Sequence, residues 1–189
     1  MHKKTPKIFI FIDQYNSKIF NNKKLNIGIV YRNYKDKNRE NQLIKIARAC
    51  NKYKYQLYVS NDIKLAYKYK ADGIYIPSFN KTKKFLNLEK KSMKILGSAH
   101  TQKEIHKKIT QNCKTIFLSP LFRIKKSKSF LDIHRFNYLA RLNKINILAL
   151  GGISKNNIRK LKLVSINGFG GINFFKKKTG LKEAGFHKE

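Results

Sequence analysis

Eight short apolar runs recur along the 189-residue chain, and the segments between them are mostly amphipathic. They read KIFIFID (7–13), IGIVYRN (27–33), YQLYVS (55–60), GIYIPS (73–78), KILGSAH (94–100), TIFLSPLF (115–122), INILALGG (145–152) and NGFGGINFF (167–175). Near-continuous apolar runs of this length suit parallel strands buried on both faces. Strand–helix alternation points to an α/β fold. Eight such units predict a (β/α)8 barrel, a small one, since about 200–250 residues is usual. One barrel would fill residues 1–189. The stretch between the first two runs, DQYNSKIFNNKKLN, has room for about one helical turn, so the first helix is expected to be shortened.

The helices follow from apolar spacing. Lys37 to Tyr53 places Leu43, Ile44, Ala47 and Cys50 at helical intervals. Asn61 or Asp62 caps IKLAYKYK, and Thr101 with Glu104 three residues later forms a capping box. Further helices are expected over Asn80 to Lys91, around His134 to Leu142, and over KNNIRKLKLV with Ser154 as its cap.

Composition narrows the function. No run approaches the ~18–20 apolar residues of a membrane span, and the apolar stretch after the basic N-terminus is too short for a secretory leader. The two cysteines, Cys50 and Cys113, make neither a disulfide framework nor a CxxC zinc site, so a reducing cytoplasmic setting is expected. There are 43 Lys and Arg against 10 Asp and Glu, a formal +33. Such a charge invites a nucleic-acid reading. However, the lysines are spread end to end, far outnumber the arginines, and accompany abundant Asn, Ile and Tyr, the signature of an A+T-rich genome. A basic nucleic-acid-binding protein is therefore only the remote alternative. The scarcity of acids still favours an anionic ligand.

In barrels of this kind the chemistry sits at the C-terminal ends of the strands. Those ends offer Asp13, Arg32, Asn61, Asp62, Ser78, Asn80, Ser98, His100, Ser119, and the paired glycines Gly151–Gly152 and Gly170–Gly171. Glycine turns after the last two strands let backbone N–H groups approach a phosphate. Arg32 suits a two-point phosphate clamp, and His100 can move a proton. Asp62 can hold Mg²⁺ against a pyrophosphate or simply cap a helix. The Lys/Ser loop RIKKSKS (123–129) can fold over an anion or remain a solvated charge run.

Taken in order, GIVYRN, SNDIKLAYKYKADGIYIPS, ILGSAHTQKEI, IFLSPLF, LALGGISKNNI and NGFGGINFF resemble the thiamine phosphate synthase/TenI family of (β/α)8 barrels over roughly residues 27 to 176. The resemblance implies a cytoplasmic transferase of thiamine biosynthesis. It joins hydroxymethylpyrimidine diphosphate to thiazole phosphate with Mg²⁺ and releases pyrophosphate. Carried over by position, it assigns Arg32 and Ser98 to the reacting phosphates, Asn61 and Asp62 to the family's Asn-Asp pair with Asp62 on the metal, and Gly152 with the backbone near Gly171 to the thiazole phosphate. The turn glycines Gly151 and Gly170 join that phosphate set, Ser127 with Lys126 or Lys128 takes the catalytic place of the family's loop, and His100 is the catalytic group of the TenI-type proton transfer. Where the family has a second metal carboxylate this chain has Asn80, where it has a strand-four His it has Tyr75, and its Thr-rich loop reads RIKKSKS. Two other activities belong to the same frame, a TenI-like thiazole tautomerase and a phosphate-binding barrel without turnover. The expected partners are phosphorylated small molecules and at most a second copy of the chain, without membrane.

Overall fold

A computed structural model describes residues 4–21, 26–34, 36, 38–86, 88, 93–125 and 129–172. Eight parallel strands close into a barrel in sequence order: β1 (Ile8–Ile12), β2 (Ile27–Tyr31), β3 (Gln56–Ser60), β4 (Gly73–Ile76), β5 (Lys94–Ala99), β6 (Thr115–Leu118), β7 (Asn146–Ala149) and β8 (Phe169–Gly171). The ring is sealed by β8 pairing with β1, with Phe9 opposite Gly170. Outside the barrel lie α1 (Arg39–Tyr53), α2 (Ile63–Lys68), α3 (Gln102–Thr110) and α4 (Asp132–Arg141). The expected barrel and its reduced first helix are both present. Among its described residues the β1–β2 connection holds one 3-10 turn, Ser17–Ile19. No helix among the described residues is long and apolar enough to cross a membrane.

Two packed layers follow from the period-two alternation of the strands. Outward residues such as Ile10, Ile29, Val59, Ile74 and Ile116 meet the helices. Inward residues Phe9, Phe11, Val30, Tyr58, Tyr75, Leu96, Phe117, Leu148 and Leu150 fill the barrel. Phe117 packs edge-on to Phe9 at 5.0 Å and to Phe11 at 5.1 Å between ring centroids. Glycines make room for these rings. A Cβ on Gly28 would lie 2.4 Å from the Phe9 ring, and one on Gly170 would lie 2.8 Å from Phe11. Gly170, expected at a phosphate, thus faces the aromatic core, and Gly171 is buried beside it.

The lower end of the barrel is closed by a polar network. Gln56 donates to the Lys4 carbonyl at 2.7 Å and to Asn26 at 3.0 Å, while the Lys94 ammonium and the Tyr58 hydroxyl donate to its Oε1. The C-terminal end stays open, and there most strands leave the ladder earlier than their apolar runs do. Residues 32–33, 77–78, 119–122 and 150–152 therefore become rim loops.

Two expected helices are corrected. Among the described residues of 80–88 no α-helix forms. The Asn80 Oδ1 accepts from the Thr82 amide at 2.9 Å and its hydroxyl at 3.0 Å, a local turn that competes with helix nucleation. Gln111, at the C-cap of α3, donates to the Asn80 and Thr82 carbonyls. Phe85 and Leu88 still bury. After β7 the chain makes 3-10 turns over Ile158–Leu163, and Ser154 is not their side-chain cap. Asn157 closes this turn instead, accepting from the Ser154 amide and donating to the Gly152 carbonyl. The capping box forms with one shift: Thr101 accepts from the Glu104 amide, and Glu104 reaches back to the His100 amide rather than that of Thr101.

Candidate functional site

The open end holds a cavity of about 520 Å3. Arg32 reaches it because it continues the inward parity of Gly28 and Val30, and its amide extends the ladder to the Ile12 carbonyl. Its guanidinium meets Asp13, one residue past β1, through Nε–Oδ1 at 2.9 Å and Nη2–Oδ2 at 3.0 Å. Partial burial alone would pull the Arg32 pKa down, but the Asp13 carboxylate more than offsets this and holds it above the ordinary value. The other N–H groups of the fork remain for an anion.

Ser98 and Tyr75 lie side by side at the ends of β5 and β4, both facing inward. Burial drives the Tyr75 phenol well above its usual pKa, with a hydrogen bond to Ser98 pulling the other way. The phenol is therefore a permanent neutral hydrogen-bonding group. His100 is held between two serines. Its Nδ1 lies 2.7 Å from the Ser119 carbonyl, which can only accept, so Nδ1 carries the proton. In the neutral ring Nε2 is then the lone-pair nitrogen, 3.2 Å from the Ser78 hydroxyl. The glycine pair after β7 adopts φ values of +89° and +72°, where side chains are strained. A Cβ there would also strike Pro120 at 2.8 Å and the Phe122 carbonyl oxygen at 2.4 Å. Only glycine lets the β7 loop and the 120–122 loop lie backbone to backbone at the rim, where the Phe122 amide donates to the Gly151 carbonyl.

Arg32, Ser98, His100 and Gly151 thus share one cavity wall. Gly152 does not line it and packs against the Phe122 backbone. Asp62 does not line the cavity. It caps α2, with Oδ1 accepting from the Leu65 amide at 3.0 Å, while Oδ2 pairs with Arg39 at 3.1 Å. Asn61, at φ +63°, accepts through its Oδ1 from the Asn80 amide group. Ser127 and Lys128 lie outside the described residues, as does Lys126. Ile124, at the near end of that loop, does reach the cavity.

Four residues at or near this end of the barrel escaped sequence reasoning. Tyr34 and Phe79 form an edge-on aromatic pair on the cavity wall, and the Tyr34 hydroxyl bonds Ser60. Arg39 looked like an ordinary helix residue, although an arginine in a lysine-rich chain is itself a signal. Lys108 reads as one more surface lysine, yet it is 1% exposed.

The residues expected to hold Mg²⁺ fit that ion poorly. Mg²⁺ is usually held by one or two carboxylates plus phosphate oxygens. Here the single carboxylate is engaged by a helix amide and a guanidinium, and the second position is an amide committed to Asn61 and Thr82. Among the described residues no group of three or more His, Cys, Asp or Glu is placed to hold a metal ion.

A family model described as thiamine monophosphate synthase matches residues 22–173. The chain belongs to the thiamine monophosphate synthase family. Among its curated relatives in that family is the thiamine-phosphate synthase of Prochlorococcus marinus subsp. pastoris. It is 32% identical over 130 residues, covering 67% of this chain and 37% of the relative. The thiamine-phosphate synthase of P. marinus strain SARG is 28% identical over 158 residues, covering 79% and 45%. The chain therefore spans less than half the length of these family members. In fold, the thiamine phosphate pyrophosphorylase of Pyrococcus furiosus superposes with a TM-score of 0.78, covering 95% of this chain and 94% of that one at 14% identity. A structure titled native KDPGal superposes at 0.70 with 11% identity, so the barrel itself is shared beyond the thiamine monophosphate synthase family.

Proposed function

We propose that this barrel carries out the thiamine phosphate synthase reaction, joining a hydroxymethylpyrimidine diphosphate to a thiazole phosphate. The observation that carries the reading is the convergence of Arg32, Ser98 and Gly151 on one cavity in a chain of that family. In this reaction the bond between the pyrimidine methylene and the diphosphate oxygen breaks, its electron pair leaving with pyrophosphate. The thiazole nitrogen then donates its lone pair to the methylene carbon. No strong base is required. The protein's part is to bind leaving-group charge and align two rings.

Arg32 supplies a cationic fork, oriented by Asp13, for a phosphate group. Ser98 and the neutral Tyr75 phenol give hydrogen bonds at the cavity floor. The β7 rim turn brings backbone close to the second phosphate. Tyr34 and Phe79 offer aromatic faces for ring stacking. Mg²⁺ is the family's expected cofactor, but the donor set at Asp62 and Asn80 does not suit it, and no step is assigned to it.

The deciding experiment supplies both substrates to the purified protein and follows thiamine phosphate by chromatography, with and without Mg²⁺. Product that disappears on Arg32→Ala supports the reading. Absence of product under both conditions, with the protein folded, overturns it.

His100 favours a second reading, a proton-transferring thiazole tautomerase. Its lone-pair nitrogen is oriented toward the cavity side by the Ser119 carbonyl, which is how a general base is positioned.

A further inference from the structure

The corner between the ends of β3 and β4 contains two built-in cations. Arg39, the first residue of α1, is 15% exposed at its side chain. Its Nη1 donates to Asp62 Oδ2, and its Nη2 donates to the Ser60 carbonyl at 2.5 Å. Its guanidinium lies 5.6 Å over the Tyr31 ring, whose hydroxyl donates to the Arg39 carbonyl at 3.0 Å. The side chain is thus held at one end by a carboxylate, at another by a backbone oxygen, and across its face by an aromatic ring.

Lys108 comes from the opposite side. Its Nζ donates to the Pro77 and Asn80 carbonyls, both at 2.7 Å, and to Gln111 Oε1 at 2.9 Å. Three donors meet three acceptors, so this buried ammonium is fully satisfied without a carboxylate. It lies directly against the residue whose side chain stands in the place of a second metal ligand.

We propose that the Arg39 guanidinium and the Lys108 ammonium stand in this corner in place of a divalent ion. The barrel then takes its phosphorylated ligand without a metal bound at Asp62. The inference builds on the reading of the cavity as a phosphate site. A divalent ion between Asp62 and Asn80 would have two resident positive charges as neighbours. Its ligands would be one carboxylate already shared with a guanidinium and one neutral amide already hydrogen-bonded at both ends. The acid that lines the cavity, Asp13, is likewise paired with an arginine. Asp62 and Asp13 are therefore each paired with an arginine from within the fold. The positive charge that a metal would lend comes from side chains of the fold and does not depend on metal supply.

The test uses Mn²⁺ as a spectroscopic stand-in and inorganic pyrophosphate as the ligand. Electron paramagnetic resonance of free Mn²⁺ should be unchanged by an excess of the wild-type protein. The double variant Arg39→Gln/Asn80→Asp, which releases Asp62 and restores a second carboxylate, should bind Mn²⁺ at least about tenfold more tightly. Calorimetry should give pyrophosphate affinities within about twofold with Mg²⁺ and with EDTA. Mn²⁺ binding by the wild type that is lost in Asp62→Asn, a variant that keeps a capping oxygen, overturns the inference. So does pyrophosphate binding that requires Mg²⁺. If pyrophosphate fails to bind in either buffer, the phosphate reading of the cavity fails instead, and the Mn²⁺ titration still decides the metal question.

Discussion

Arg32 and Asp13 meet as a two-point ion pair across the tops of β2 and β1, at 2.9 and 3.0 Å. The pair aims a planar fork into the cavity, and a lysine cannot reproduce that geometry. Arg32→Lys is therefore expected to keep the charge and the fold but to lower kcat/KM for thiamine phosphate formation by roughly 10–100-fold. Steady-state kinetics beside an unchanged melting temperature would check it. Wild-type turnover in that variant would remove Arg32 from the phosphate site.

Gly152→Ala is expected to destabilise the protein by about 1–3 kcal/mol, and Gly151→Ala by somewhat less. Both residues combine positive φ with a close neighbour, but the Gly152 Cβ would meet a backbone oxygen at 2.4 Å that has no flexible end to move. Thermal or urea unfolding measures the difference. Equal stabilities would mean that the rim loops separate readily.

His100→Asn separates the two catalytic readings. An ionising transfer needs no base and should persist within about tenfold. A tautomerase should lose its activity by a factor on the order of 100 or more. Deuterium exchange into a thiazole carboxylate phosphate gives the second readout, and loss of both activities together would point to a structural role in joining Ser78 to Ser119.

Burial lowers the Lys108 pKa from 10.5 to about 8. The Cys113 thiol and the Glu104 carboxylate oppose the shift, and the neighbouring Lys107 adds to it. Between about pH 8 and 10.5 the folded protein has released this proton while the unfolded chain still holds it, so this group makes stability rise with pH. Buried acids act the other way. Cys113, pushed up to about 12, and Tyr31, also to about 12, stay protonated in the folded state while their unfolded counterparts ionise. Total stability therefore mixes the two, and the comparison with Lys108→Met isolates the lysine. The wild type should gain on the variant from pH 7.5 to 10, by up to about 3 kcal/mol. Denaturant unfolding across that range would show it, and a flat difference would mean that the ammonium is not perturbed.

The barrel was legible because strands buried on both faces need near-continuous apolar runs, and eight such runs allow few other closures. Thr101–Glu104 and the Asp62 cap were legible because capping acts over three or four residues. Among its described residues the helix expected over 80–91 does not form, for a non-local reason. Gln111 and Lys108, some thirty residues away, bind carbonyls of that segment, and the Asn80 side chain closes a turn on Thr82.

For the site, rim position followed from sequence order alone, which is why Arg32, Ser98, His100 and Gly151 share a wall. Their partners did not. That Asp13 faces Arg32 depends on the β1–β2 register, with Ile12 opposite Tyr31. That Gly170 serves Phe11 and Phe117 depends on which way β8 turns its face. The sequence alone determines the strand count, the parallel closure and the rim residues, because periodicity and capping are local. Only the tertiary structure decided that Asp62 belongs to Arg39 and that Lys108 is a buried cation. Burial and charge pairing arise between segments far apart in the chain, and no local pattern encodes which of many lysines goes inside.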